Sequence, residues 1–214
     1  MVIETIVTGP LQENCFVVMD ENSNEALVID PGWDSDKILA IISKHGIGKV
    51  TVILTHGHFD HISSADEIRK GTGAEIYMSP LDKFLLDSVG GSTAMMCGMG
   101  NARPFTVDGS IEEGDTFKAG NIELTAIATP GHTPGGMSFY DGSGHLFAGD
   151  TLFRGSVGRV DFPGSNGNHL IESITKKLYK LPPETIVHCG HGPDTTIGYE
   201  MEHNPFTNNP GWLG

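Results

Sequence analysis

The chain has 214 residues, enough for one domain with a sizeable core, and its 38% hydrophobic and 19% charged content reads as a folded globular protein rather than a disordered or fibrous one. Lys plus Arg number 13 against 27 Asp plus Glu, a formal charge of −14, and a surface that acidic repels phosphate backbones and anionic lipid, which excludes nucleic acid and membrane surfaces as expected partners. The opening MVIETIVTGP lacks the basic start and long apolar core of a leader. A cytoplasmic chain is therefore expected, with Cys15, Cys97 and Cys189 as reduced thiols.

Three β-like runs come first, ETIVTG, CFVVMD and EALVIDPG, each closed by turn residues. Ile38, Ile41, Ile42 and His45 then recur at helical spacing, opened by Asp34 or Ser35 and stopped by Gly46. KVTVIL suits a strand buried on both faces. Ile62, Ala65 and Ile68 predict a helix ending at Gly71, and AEIYM a further strand. Ser79 has the character of an N-cap with Pro80 at the first helical position. From Val89 to Arg103 the Gly- and Met-rich chain has no clear period and is expected to be a loop. FTVD, DTFKAG, IELTAIA, GMSFYD and HLFAGD form a second series of strands, and one more helix turns Leu170, Ile174 and Leu178 inward before Pro182 and Pro183. Strands alternating with helices, without a linker or short repeat, predict a single α/β domain spanning 1–214.

The metal-ligating residue types fall in four clusters, each directly after a short apolar strand: THGHFDH after TVIL, TPGH after LTAIA, GD after HLFA, and HCGHG after TIV. In layered α/β proteins the carboxyl ends of neighbouring strands open onto one crevice, so His56, His58, Asp60, His61, His132, Asp150 and His191 are expected to converge. Five imidazoles and two carboxylates suffice for two metal ions sharing one carboxylate. In extended chain, alternate side chains point the same way, which lets His56 and His58 grip one ion while the following turn carries Asp60 and His61 toward a second.

THGHFDH, PGHTPGG, FAGDTLF and GHGPDT resemble the metal-binding motifs of the metallo-β-lactamase superfamily, in that superfamily's order, and the likeness runs from GPLQENCFVV to TTIGYEMEHNPF. GDTLFRGSVGRVDFPG and the closing NPF are most similar to its short bacterial glyoxalase-II-like hydrolases. The resemblance implies a four-layer αββα sandwich with the metals at one edge, His56, His58 and His132 on the first ion, Asp60, His61 and His191 on the second, and Asp150 bridging. It implies two divalent ions, zinc as the first choice with iron and manganese as alternatives. It also implies hydrolysis of small-molecule thioesters by a hydroxide that the two ions share, with Asp60 and Asp150 as the catalytic carboxylates.

Bond type also has an argument from leaving groups: a thiolate of pKa ~8.5 departs with little help, whereas an amine must be protonated. The superfamily's lactamases tend to carry a cysteine where this chain has Asp150. Two alternatives share the ligand positions: persulfide dioxygenases, with one iron on a facial triad here corresponding to His56, His132 and Asp150, and lactone or ester hydrolases. Glyoxalase II enzymes bind glutathione partly through a basic helical C-terminal extension, which this sequence, closing on NPGWLG, is expected to lack. Arg159, and after it Arg154, are the candidates for clamping a substrate carboxylate. Met95, Met96 and Met99 with Cys97 are candidates to wall an acyl pocket. Gly131, Thr133 and Gly135 are expected to shape the turn that presents His132, Thr55 and Thr151 to hydrogen-bond ligands, and Cys189 to be a small buried side chain or an oxidisable thiol near the metals.

Overall fold

The computed structural model describes residues 1–209 and Gly211, so the end of NPGWLG lies outside the described residues. Strands β1 (Val2–Thr8), β2 (Glu13–Met19) and β3 (Glu25–Ile29) pair antiparallel in chain order. Helix α1 (Ser35–Lys44) then returns the chain to β4 (Lys49–Ile53), which lies parallel to β3. After α2 (Phe59–Ile62) and α3 (Ala65–Thr72) comes β5 (Glu75–Met78), and after a 3-10 segment at Pro80–Ser88 and α4 (Ser92–Met96) comes the short β6 (Gly109–Ser110). These six strands form one sheet in sequence order.

The second sheet begins with the antiparallel β7 (Thr116–Ala119), β8 (Ile122–Ala128), β9 (Met137–Tyr140) and β10 (His145–Gly149). A hairpin of β11 (Leu152–Phe153) and β12 (Ser156–Val157) and helix α5 (Gly167–Lys176) follow. Next, β13 (Ile186–Cys189) enters parallel to β10, and β14 (Thr195–Thr196) closes the edge. Helices α6 (Ile197–His203) and α7 (Pro205–Asn208) end the described chain. No helix among the described residues is long and apolar enough to cross a membrane.

Side-chain alternation divides the core into three layers, because successive residues of a strand face opposite sides. On β2, Phe16 and Val18 meet Phe139 and Phe147 between the sheets, with Leu27, Ile29 and Ile53 beside them. Cys15, Val17 and Met19 face the other way, against Ile38 and Ile42 of α1 and Ile68 of α3. On the far side, Leu146 and Ala148 of β10 pack with Leu170 and Ile174 of α5 and Ile197 of α6. Helices, sheet, sheet, helices is the four-layer αββα sandwich.

Local differences from expectation have local causes. Ser79 does cap, its Oγ accepting from the Leu81 N–H, but the helix it opens is 3-10. Asp34 does not cap α1: it sits at φ 53°, and its carboxylate accepts from Gly9 N–H and Lys37. The Met-rich stretch contains α4, which carries no side-chain cap and too few residues for a period to show. FTVD is not a strand; Asp108 Oδ2 accepts from Ile76 N at 2.9 Å, and pairing starts only at Gly109. Helices α6 and α7 escaped the periodicity because each is under three turns long.

Candidate metal centre

The loops after β4, β8, β10 and β13 meet at one edge of the sandwich. His58 closes the extended loop after β4 at φ −68°, ψ 142° and is the N-cap position of α2, whose single turn carries Asp60 and His61. His132 comes from the loop between β8 and β9, Asp150 follows β10, and His191 follows β13.

The ligand atoms of His56, His58 and His132 lie within 4.8 Å of one another, and so do those of Asp60, His61 and His191. Asp150 stands between the two groups: its Oδ1 is 3.3 Å from His61 Nε2, and its Oδ2 is 3.5 Å from His132 Nε2 and 3.7 Å from His191 Nε2. Asp60 Oδ2 is 3.4 Å from His191 Nε2. The structure therefore brings together all seven residues that the sequence singled out. Gly190 permits the approach, since a Cβ there would stand 2.3 Å from Asp150 Oδ1.

Hydrogen bonds on the outward nitrogens fix which nitrogen each imidazole offers. Nδ1 of His61 donates to Asp30 Oδ2 at 3.0 Å, that of His132 to the Arg159 carbonyl at 2.7 Å, and that of His191 to the Leu11 carbonyl at 3.1 Å. Thr55 Oγ1 meets His56 Nδ1 at 3.0 Å. In each case Nδ1 carries a proton and Nε2 faces inward, the orientation a metal-ligating histidine requires. His58 is the exception, presenting Nδ1 2.8 Å from His132 Nε2. His56 Nε2 and Asp150 Oδ1 are buried without a hydrogen-bond partner. Orphaned acceptors at the centre of an otherwise satisfied cluster are what a pair of cations would complete, so the donor set fits two divalent ions.

The electrostatics of the first group agree. Burial and the neighbouring imidazoles hold His56 well below its ordinary value, and burial with His132 pulls His58 down to about 4. Both rings are neutral at physiological pH, so no proton competes for their lone pairs. Burial opposes charge on His61 and Asp150, but their mutual attraction outweighs it, raising His61 well above and depressing Asp150 well below their usual ranges, so an ion at the second position would take the place of a proton on His61 Nε2. Asp60 is lowered against its burial by the hydrogen bond to His191 and the charge of His61.

The remaining candidates are placed less simply. Arg159 lines the cleft above the ligands, but its guanidinium is doubly bonded to Asp161, at 2.9 and 2.7 Å, and lies 4.4 Å over the Phe162 ring. Arg154 stacks over Tyr199 and is not among the residues lining the cleft. Thr151 hydrogen-bonds Thr129 rather than a ligand. Met95 and Met96 face solvent and Met99 is buried; of that stretch only Thr93 and Cys97 reach the cleft. Cys189 packs in the core with α5, and burial pushes its thiol up to about 12, so it is a small buried side chain.

Two supporting carboxylates were missed. Asp30 accepts from Thr55 N–H at 2.7 Å, from Thr55 Oγ1 and from His61, so one side chain orients two ligands. Asp82 is fully buried and accepts from Gly57 N–H, Gly135 N–H and Thr133 Oγ1, tying the His58 loop to the His132 loop. Asp30 had a signal, since it follows the apolar run ALVI as the other clusters follow theirs. Asp82 had none: it reads as an ordinary acidic residue in a helix's first turn.

Comparison with known proteins accords with this geometry. The model of the metallo-beta-lactamase superfamily matches residues 8–191. An uncharacterized protein of Aquifex aeolicus is 43% identical, over 96% of this chain and 97% of its own length. The hydroxyacylglutathione hydrolase GloC of Haemophilus influenzae is 37% identical, over 98% and 99%. Among solved structures, TTHA1623 in a di-iron-bound form superposes with a TM-score of 0.83 at 40% identity, covering 95% of this chain and 99% of that one. ETHE1 from Myxococcus xanthus gives 0.80 at 27% identity, covering 97% and 84%.

Proposed function

The chain belongs to the metallo-β-lactamase superfamily, and from that premise we propose that it is a two-metal hydrolase of small-molecule thioesters, of the kind represented by hydroxyacylglutathione hydrolases. The observation that carries this reading is Asp150 between two complete three-residue groups, its carboxylate within 3.7 Å of His132 on one side and of His61 and His191 on the other. Two divalent ions bound there supply a nucleophile from water at neutral pH and polarise an acyl oxygen.

The chain's own residues do the rest. His56, His58 and His132 hold the first position and Asp60, His61 and His191 the second, with Asp150 common to both. Asp60, kept ionised, accepts a hydrogen bond from attacking water and so aims it. Asp30 and the carbonyls of Arg159 and Leu11 keep the ligand rings in register throughout. When the C–S bond breaks, the thiolate leaves with its electron pair and needs no proton, which suits a cleft whose lining, among the described residues, has neither lysine nor tyrosine to act as general acid. The same reading takes residues 1–214 as one cytoplasmic domain acting without nucleic acid or membrane, and zinc as the first metal to test, with iron and manganese beside it.

A second reading has its own support. ETHE1 is a structural neighbour, and His56, His132 and Asp150 have the composition of an iron facial triad. The two readings share these ligand positions and differ in how many ions are held, so metal stoichiometry separates them. The deciding experiment is metal content per chain, measured with thiol release from lactoylglutathione and oxygen uptake with glutathione persulfide. Two equivalents with thiol release is the expected result; one iron with persulfide-dependent oxygen uptake overturns it.

A further inference from the structure

Above the metal centre lies a cleft of about 730 Å³, within the range that holds a whole small ligand. Its walls are apolar. Phe84 and Leu85 of the 3-10 segment line it together with Phe162 and Pro163, and Phe153 and Leu11 line it beside His191. Phe84 reaches the loop that carries Phe162 and Pro163, since a Cβ at Gly164 would stand 3.5 Å from Phe84 Cζ. Phe162 also meets the His58 ring edge-on at 5.1 Å, so the apolar wall begins at the ligands themselves.

Phe84 is 51% exposed although it is a large aromatic residue. An aromatic side chain left half in water beside a reactive centre has apolar surface to offer a ligand. The cleft brings little for an anionic carrier. Apart from the ligand histidines, Arg159 is the only cation lining it among the described residues, its charge matched by Asp161 and its guanidinium bracing Phe162. A carboxylate-bearing substrate could use only the remaining Nη1 edge of the guanidinium, next to the negative charge of Asp161.

Resting on the thioester reading above, we propose that the cleft selects thioesters by an apolar acyl group, aliphatic or aromatic, running from the metal centre between Phe84 and Phe162, and that Arg159 is a positioning residue for Phe162 rather than an anion clamp. Selectivity then follows burial of hydrocarbon, about fourfold in kcat/KM for each added methylene until the cleft is filled.

The test uses the metal-loaded protein and acyl thioesters of the neutral thiol N-acetylcysteamine, from acetyl to octanoyl and phenylacetyl, alongside lactoylglutathione. The expected result is a steep rise from acetyl to hexanoyl, with hexanoyl preferred to lactoylglutathione. Phe84→Ala is expected to cut the hexanoyl-to-acetyl ratio by about fivefold. In Arg159→Ala, KM should rise equally for neutral and anionic thioesters. A flat profile with chain length, a preference for lactoylglutathione, or a KM rise in Arg159→Ala confined to anionic substrates overturns the proposal. Unreactive ketone analogues, with CH₂ in place of sulfur, are titrated calorimetrically in parallel. If no thioester turns over, the hydrolase reading fails and the ketones alone decide the cleft: affinity that rises with chain length, with a negative heat-capacity change, upholds an apolar acyl site, and length-independent affinity overturns it.

Discussion

Asp30 spends both carboxylate oxygens on holding ligands in place: Oδ2 takes the His61 Nδ1–H, and both oxygens anchor Thr55, whose hydroxyl meets His56. In Asp30→Asn the amide keeps the shape but loses the charge that favours the Nδ1–H form of His61. Metal affinity should fall about 10- to 100-fold while the fold persists, read by competition with a chromogenic chelator. Asp150→Ala goes further, removing the one residue that faces both groups, and both metals and turnover should be lost; full turnover in that variant would remove Asp150 from the site. At this scale the sequence was most legible where chemistry is packed into short motifs, since THGHFDH places four ligands in six residues on one loop and turn. Arginine roles were not legible, because whether a guanidinium meets substrate or a neighbouring carboxylate depends on where a loop such as Arg159 to Asp161 doubles back.

The 3-10 segment Pro80–Ser88 joins two tasks: Phe84 and Leu85 face the cleft, while Asp82 receives Gly57, Thr133 and Gly135 from the loops that bear His58 and His132. Replacing Asp82 by Ala strands three donors in a buried place and should cost about 2 kcal/mol or more in urea unfolding. Because both tethered loops serve the first ligand group, the first metal should weaken before the second in a stepwise titration; equal weakening would argue against this coupling. At the other end, the Leu178–Lys180 turn is pinned to α7 by Tyr179 Oη and Thr207 Oγ1 at 2.9 Å. Burial pushes the Tyr179 phenol up to about 12 from an ordinary 10. The unfolded chain then ionises first, so stability is complete below pH 10 and falls as pH climbs toward 12. Denaturant unfolding across that range should show less loss in Tyr179→Phe than in the parent. Strands and long helices were readable at this scale because burial imposes a period. The 3-10 segment, α4, α6 and α7 were not, being held by caps and tertiary contacts rather than by a long apolar stripe.

The two ligand groups each draw on both sheets: His56, His58, Asp60 and His61 follow β4 of the first, while His132, Asp150 and His191 follow strands of the second. The sheets already share the buried layer of Phe16, Leu27, Phe139 and Phe147, so the metals are not needed to join them along their length. They are needed at the edge, where each cation would clamp a loop of one sheet to a loop of the other and neutralise carboxylates in a chain of net charge −14. That layered architecture was foreseeable from alternating strands and helices, but the meeting of four distant loops is a property of the closed sandwich alone. Binding to the folded state only stabilises it by mass action, about 2.7 kcal/mol per ion at a hundredfold excess over the dissociation constant and so about 5 kcal/mol for two. For a chain of this length that corresponds to roughly 10–20 °C in Tm. Chelation should therefore lower Tm by about that amount, and hydrogen exchange should quicken in the loops carrying His58, His132 and His191 while β2, β3 and β10 stay protected. Collapse of protection throughout the strands on chelation would instead make the metals a condition of the fold, and an unchanged Tm would mean that the convergent histidines hold no ion at all.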